Sequence, residues 1–290
     1  MKMKSFFRGL SFCPLVSLHM VGWVLGWLSF LLSPTYRRRF LNHARQASMD
    51  WSDVKGAVGQ AGQLLSELPF LWMRASIEGF SNKLVLRGAE VIRHALAQGQ
   101  GIVFLTPHLG SFEVAAQAYA EYFGHHKPIT VLYRPARKPW LRHLIDASRA
   151  RPGLNTAPAS LSGVRQMLKA LRHGAAVGLL PDQVPPLGMG VWAPFFGRSA
   201  YTMTLAARLV QQTGATVVLA WCRRLPWGQG YELTCEPMSE AIPSDPMQRV
   251  EAATMINRAM ERLIRRCPQQ YLWGYHRYKE PAAILQVAEG

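Results

Sequence analysis

The stretch GIVFLTPHLGSFEVAAQAYAEYF, residues 101–123, decides the fold. Its first six residues are an apolar run of strand length, bounded by glycine and rich in β-branched and aromatic side chains. From Phe112 onward the text reads as a helix. Between the two, Gly110 can turn the chain and Ser111 can cap the new helix. A strand that passes directly into a helix is the repeating unit of α/β domains.

Moving outward, the same alternation recurs. ITVLY (129–133), AAVGLL (175–180) and ATVVLAW (215–221) are further short apolar runs. Helices are expected over 112–123, 139–150, 161–173, 202–213 and 246–267, the last with Ile256, Met260, Leu263, Ile264 and Cys267 on one face. The expectation is an α/β domain over residues 84–290, a mostly parallel sheet flanked by helices. Residues 36–83 are basic and helical in pattern, interrupted by Gly56, Gly59, Gly62 and Pro69, and read as a helical connector.

Ahead of the connector, residues 1–35 read as a membrane-anchoring helix. LSFCPLVSLHMVGWVLGWLSFLL, residues 10–32, contains no Asp, Glu, Lys or Arg, and as a helix it nearly matches a bilayer core. It is too long for a cleaved signal and lacks a small-residue cleavage site before Arg37-Arg38-Arg39. Cations flank both ends, so the positive-inside rule gives no orientation and an interfacial helix competes with a span. Trp23 and Trp27 share one face.

The chain has 290 residues, 49% hydrophobic and 17% charged, which excludes a disordered polymer. Thirty-three Lys plus Arg against 17 Asp plus Glu give a net charge of +16 and call for an anionic partner. Nucleic acid, an acidic protein and an anionic membrane all meet that requirement. Cys13, Cys222, Cys235 and Cys267 lie far apart with no CxxC pair, which suggests neither a zinc site nor a disulfide framework and fits a reducing compartment.

Chemistry concentrates where strands end. His108 falls at the carboxyl end of the strand in residues 101–106, the edge where open α/β sheets place ligands. Glu113 lies five residues on. On one regular helix the two would point about 140° apart, so they converge only if the chain turns at Gly110. A carboxylate on an imidazole fixes its tautomer and lets the other nitrogen take a proton from a hydroxyl. A hydrogen-bonded loop histidine is the alternative. Tyr133 and Arg134 end another strand, and a guanidinium there suits a phosphate, with a surface salt bridge as the alternative.

Asp182 and Gln183 follow a third strand and could orient substrate or the His108 loop, or Asp182 could cap a turn. VWAPFFGRSAYT (191–202) shows no period and reads as a loop. Its Phe195 and Phe196 could wall an apolar channel or belong to the core. In YLWGYHRYK (271–279), strand alternation would put Tyr271, Trp273, Tyr275, Arg277 and Lys279 on one side, rings below and cations toward lipid phosphates. Arg277 is the second candidate phosphate contact; a surface charge is its alternative.

HLGSFE resembles the HxxxxE/D signature of the lysophospholipid and lipid A acyltransferases, in particular the bacterial lauroyl and myristoyl transferases of lipid A biosynthesis. LYRPARKPWLR (132–142), LLPDQVPPLGMGVWAPFFGRSAYT (179–202) and QYLWGYHRYK (270–279) agree in order, as does the N-terminal apolar helix with its trailing arginines. The resemblance implies an enzyme on the cytoplasmic side of the bacterial inner membrane. Such an enzyme moves a fatty acyl chain from acyl carrier protein thioester to a hydroxyl of an anionic glycolipid, with His108 as base and Glu113 orienting it. No metal and no other cofactor is implied.

Direct transfer is expected because no serine or cysteine sits in a nucleophile elbow, with Ser111 the only nearby hydroxyl. Backbone amides near Gly110, or Arg134, are candidate oxyanion donors. One rival is a glycerophospholipid or lyso-ornithine lipid acyltransferase, using acyl-CoA or acyl carrier protein. The glycerophospholipid branch pairs His with Asp in NHxSxxD, where this chain has Pro107 and Glu113. Another is a membrane-anchored nucleic-acid-binding protein, against which stands the lack of any helix-turn-helix, zinc-finger or RNA-binding signature.

Overall fold

The apolar run at residues 102–105 becomes a central strand, and its two neighbours bring the candidate residues together. A computed structural model describes residues 2–74, 82–133 and 151–282. Seven strands form one sheet: β1 (Leu84–Arg87), β2 (Ile102–Leu105), β3 (Ile129–Tyr133), β4 (Leu154–Pro158), β5 (Ala176–Leu179), β8 (Thr216–Arg224) and β9 (Tyr231–Pro237), in the order β1-β9-β8-β2-β5-β3-β4. All neighbours are parallel except β8 and β9. Between β5 and β8 a separate antiparallel pair forms, β6 (Gly190–Phe195) with β7 (Arg198–Met203). Every residue of β2 and β5 is buried, as expected of parallel strands covered on both faces.

The helices are α1 (Lys2–Ser11), α2 (Leu15–Leu32), α3 (Pro34–Gln46), α4 (Trp51–Ser66), α5 (Ala89–Gln98), α6 (Phe112–Phe123), α7 (Leu161–Arg172), α8 (Leu205–Thr213) and α9 (Arg249–Arg266). The mixed α/β fold with a mostly parallel sheet is as the sequence implied, and β2, β3, β5, β8, α6, α7 and α9 fall on the stretches expected. The helix expected over 139–150 lies outside the described residues.

Three expectations are corrected. The stretch 191–202 is the β6–β7 hairpin, closed by Phe196 and Gly197 with φ of +47° and +74°. That left-handed pair suits a tight hairpin turn, and Glu261 Oε1 accepts from Phe196 N–H at 2.7 Å to hold it. Consequently the helix expected from 202 starts only at Leu205. Residues 271–279 form no strand beyond a single bridge between Tyr271 and Leu109. Turn hydrogen bonds such as Tyr275 N–H to Leu272 C=O and Arg277 N–H to Tyr275 C=O take over instead.

Helix α2 lies antiparallel against α4. Glycines make the approach close: a Cβ on Gly62 would stand 1.9 Å from the Gly22 carbonyl oxygen, and one on Gly26 would stand 2.3 Å from that of Val58. Leu15, Leu18, His19, Gly22, Gly26 and Phe30 form the buried stripe of α2, spaced three or four apart along its whole length.

Candidate active site

Because β5 lies beside β2, the loops leaving their carboxyl ends are neighbours. His108 Nδ1 lies 2.7 Å from Oδ1 of Asp182, and Oδ2 of the same carboxylate accepts from the His108 backbone N–H at 2.9 Å. The two bonds fix both the ring and its loop. Asp182 is 2% exposed. Burial alone would raise its carboxyl, but the electrostatic pull of the adjoining His108 and the hydrogen bonds from its ring and backbone N–H groups outweigh burial and hold the group below the ordinary aspartate value.

An ionised carboxylate can only accept, so Nδ1 carries the proton and Nε2 presents its lone pair. Gln183 completes the arrangement, its Nε2 amide 2.9 Å from His108 Nε2. The imidazole thus has the tautomer of a base, with its lone pair covered by the Gln183 amide. The Phe112 ring packs edge-on at 4.7 Å between centroids.

The loop is held from beneath. Gly110 has φ +59°, and a Cβ there would stand 2.0 Å from the Cys222 carbonyl oxygen, so only glycine fits. Gly110 N–H donates to Gln270 C=O and Ser111 N–H to Cys222 C=O. With His108 N–H on Asp182 and Leu109 N–H on Pro107 C=O, the backbone amides at 108–111 are all engaged. They are not free to serve as oxyanion donors, contrary to the expectation for the Gly110 region. Nor does Ser111 cap α6: its buried hydroxyl donates to Glu67 Oε1 at 2.7 Å.

Glu67 is the centre of a buried cluster that sequence reading did not single out. Arg224 grips it with Nε and Nη2, each at 2.8 Å, while the same Nη2 donates to Gly110 C=O at 2.8 Å. His19 Nε2, from the second turn of α2, lies 3.1 Å from Glu67 Oε2, and the Tyr231 hydroxyl donates to that oxygen at 3.3 Å. Burial raises the Glu67 carboxyl, but Arg224 and His19 overcome that and hold it below the ordinary glutamate value. A histidine inside an otherwise apolar run and an isolated acid just after α4 were the available signals.

The other expected residues are distributed as follows. Glu113 is half-buried on the first turn of α6, while both ring nitrogens of His108 are engaged with Asp182 and Gln183. Tyr133 ends β3 and lines an open cleft of about 910 Å³ with Lys127, Asn155, Thr156 and Lys169, which does not include His108. Arg134 lies outside the described residues. Arg277 is buried, not on the surface: it donates to Tyr201 C=O and Thr202 Oγ1, each at 2.6 Å, and stands near enough to Asp182 to lower its pKa. Phe195 and Phe196 are buried, Phe195 beside Tyr278 and Phe196 beside Trp273.

Among the thiols, Cys222, Cys235 and Cys267 are buried, and burial raises all three, Cys235 to about 12 and Cys267 to about 11. Such groups are poor nucleophiles.

The profile of bacterial lipid A biosynthesis acyltransferases matches residues 54–280. Over 193 residues the chain is 31% identical to the lipid A biosynthesis lauroyltransferase of Escherichia coli (strain K12), covering 66% of this chain and 60% of that protein. Over 195 residues it is 28% identical to the lipid A biosynthesis palmitoleoyltransferase of the same organism, covering 67% and 61%. An alignment of 255 residues with lipid A biosynthesis acyltransferase 2 of Shigella flexneri covers 83% of the chain and 77% of the relative at 22% identity. The chain spans about three fifths of the length of the two Escherichia coli relatives.

Proposed function

This chain belongs to the bacterial lipid A biosynthesis acyltransferase family. From that premise we propose that it is a membrane-associated enzyme moving a fatty acyl chain from acyl carrier protein thioester to a hydroxyl of a lipid A precursor, on the cytoplasmic face of the inner membrane, with His108 as general base. The observation that carries this reading is the buried Asp182 carboxylate on His108 Nδ1, which leaves Nε2 as the proton acceptor.

The acceptor hydroxyl displaces the Gln183 amide and hydrogen-bonds to Nε2. As Nε2 takes its proton, the oxygen attacks the thioester carbonyl. The tetrahedral intermediate collapses, the carbon–sulfur bond breaks, and the departing thiolate takes the proton from Nε2. Asp182 stabilises the transient imidazolium throughout, as a buried carboxylate does in serine hydrolases. Ser111 is fully buried and committed to Glu67, which favours direct transfer over an acyl-enzyme.

In this scheme Asp182 orients the imidazole. Glu113, on the first turn of α6, acts on the approaching acceptor, where a carboxylate can accept from a second sugar hydroxyl. The amides of Phe112 and Glu113 open a helix whose N-cap side chain does not cap it, and they are the favoured oxyanion donors. Tyr133 and Arg134 are assigned to the glycolipid phosphate. Arg277 supports Asp182 electrostatically, and Phe195 and Phe196 back the acyl-chain wall.

The test is transfer in vitro from acyl carrier protein thioester, and in parallel from acyl-CoA, to a lipid A precursor, read by mass spectrometry. Transfer by the wild type and its loss in His108→Ala support the reading; equal transfer by both overturns the base assignment.

A further inference from the structure

We propose that α2 lies in the plane of one leaflet of an anionic bilayer and does not cross it. The catalytic unit is thereby pressed against the lipid surface along the full length of the helix. The proposal rests on the membrane association put forward above, and not on the chemistry at His108.

The first support is packing. The buried stripe Leu15, Leu18, His19, Gly22, Gly26 and Phe30 runs from one end of α2 to the other, with Gly22 and Gly26 set against Gly62 and Val58 of α4 and the start of the helix against Gly228. Were α2 to span, α4 would be carried into the hydrocarbon beside it. Helix α4 holds Asp53, Lys55, Gln60 and Gln63, and a Cβ on its Gly56 would touch Gln269 of the globular unit. His19 is likewise tied to Glu67 and through it to Arg224 at the end of β8. Separating α2 from the domain would break these contacts and uncover the buried Glu67–Arg224 pair.

The second support is the opposite face. Met20, Val21, Val24, Leu25, Leu28, Leu31 and Leu32 are all exposed, a continuous apolar strip of the kind that marks a lipid contact. Aromatic side chains from the globular unit and connector flank it at both ends. Trp227, 78% exposed, lines a cavity with Phe12, Pro14 and Leu15 at the start of α2, and Trp51, 44% exposed, meets Trp27 toward its end. Exposed tryptophans beside both ends of α2, one from the globular unit and one from the connector, suit a helix lying at headgroup level.

The third support is charge. Exposed Arg8 precedes α2 and exposed Arg38 follows it. Cations at both ends give a span no preferred orientation under the positive-inside rule, and they are expected where both ends face the same anionic surface. A second copy of the chain would need negative charge opposite these arginines, so the lipid surface is the occupant that fits.

The experiment uses the full chain reconstituted in sealed vesicles containing phosphatidylglycerol, with single reporter cysteines Phe12→Cys or Leu32→Cys at exposed positions and Cys13→Ser to remove the half-buried native thiol. A membrane-impermeant maleimide should label both reporters from the same side of the bilayer, and a nitroxide at Leu25→Cys should report a depth at the headgroup and acyl-chain boundary. Labelling from opposite sides, or a nitroxide at the bilayer centre, overturns the in-plane arrangement while leaving membrane association intact. Failure to bind vesicles at all, with Leu25→Cys cross-linking between copies, overturns the lipid contact itself and assigns the strip to self-association.

Discussion

His108 and Asp182 stand 74 residues apart in the chain, yet Nδ1 of one lies 2.7 Å from Oδ1 of the other. Two parallel strands side by side accomplish this, since β2 and β5 deliver their following loops to the same edge of the sheet. The carboxylate sets the tautomer, and in the proposed scheme that tautomer is the base. Asp182→Asn should keep the hydrogen-bonded shape but lose the charge and the tautomer preference, lowering kcat by about 10³-fold or more. Steady-state kinetics on a variant with wild-type circular dichroism checks this; a loss under tenfold would remove Asp182 from the mechanism.

Gln183 covers Nε2, and in the proposed scheme it leaves that nitrogen to the acceptor. Gln183→Ala is expected to change the KM for the lipid acceptor while kcat stays within about tenfold of the wild type, because the residue takes no part in proton transfer. A collapse of kcat with unchanged KM would instead place the amide in the transition state.

The Glu67–Arg224 pair is buried and bidentate, and removing one partner leaves the other charge uncompensated. Glu67→Gln or Arg224→Met alone should destabilise the fold by about 3–5 kcal/mol in urea denaturation. The double variant should be less destabilised than the sum of the two singles.

The same carboxylate gives a pH dependence with a defined sign. Its folded pKa is depressed below the ordinary glutamate value of 4.5, so its contribution is fully present above that value. It declines as the pH falls below 4.5 and is gone beneath the folded pKa. Melting temperature followed from pH 7 down should drop in this acid range for the wild type. The drop should be shallower for Glu67→Gln, measured relative to that variant's own value at pH 7.

Gly110→Ala would place a methyl group against the Cys222 carbonyl and hold a non-glycine residue at φ +59°. A cost of about 1–3 kcal/mol is expected from the backbone alone, with a larger relative loss of activity because the His108 loop shifts. Comparison of urea midpoints and kcat for Gly110→Ala with those of an exposed control, Gly99→Ala, separates the clash from the φ penalty. Gly99 has φ +72° with nothing near its Cβ position.

Local patterns were legible. The β2–Gly110–α6 unit, the strands at 129–133 and 176–179 and the position of His108 all follow from apolar periodicity and the glycine that ends it. Asp182 was visible as a polar residue at a strand end. That it meets Nδ1 was not, because strand order appears in no spacing. The β6–β7 hairpin was missed because Pro194 and the adjacent phenylalanines hide the alternation; its signal was the Phe196-Gly197 turn. The strand expected at 271–279 failed for the opposite reason: alternating aromatic and basic residues fit a pleat, but Tyr271 alone finds a partner, in Leu109.

The sequence by itself determined the central strands and their helices, the apolar N-terminal helix, the excess of positive charge and the place of His108 at a strand end, because each is a property of neighbouring residues. The tertiary structure decided which carboxylate serves that histidine, which acid anchors Arg224 and which face of α2 is left bare. Those outcomes depend on strand order and on glycine-mediated helix contact between segments tens of residues apart, where hydrogen bonds and burial, and not local preference, select the partner.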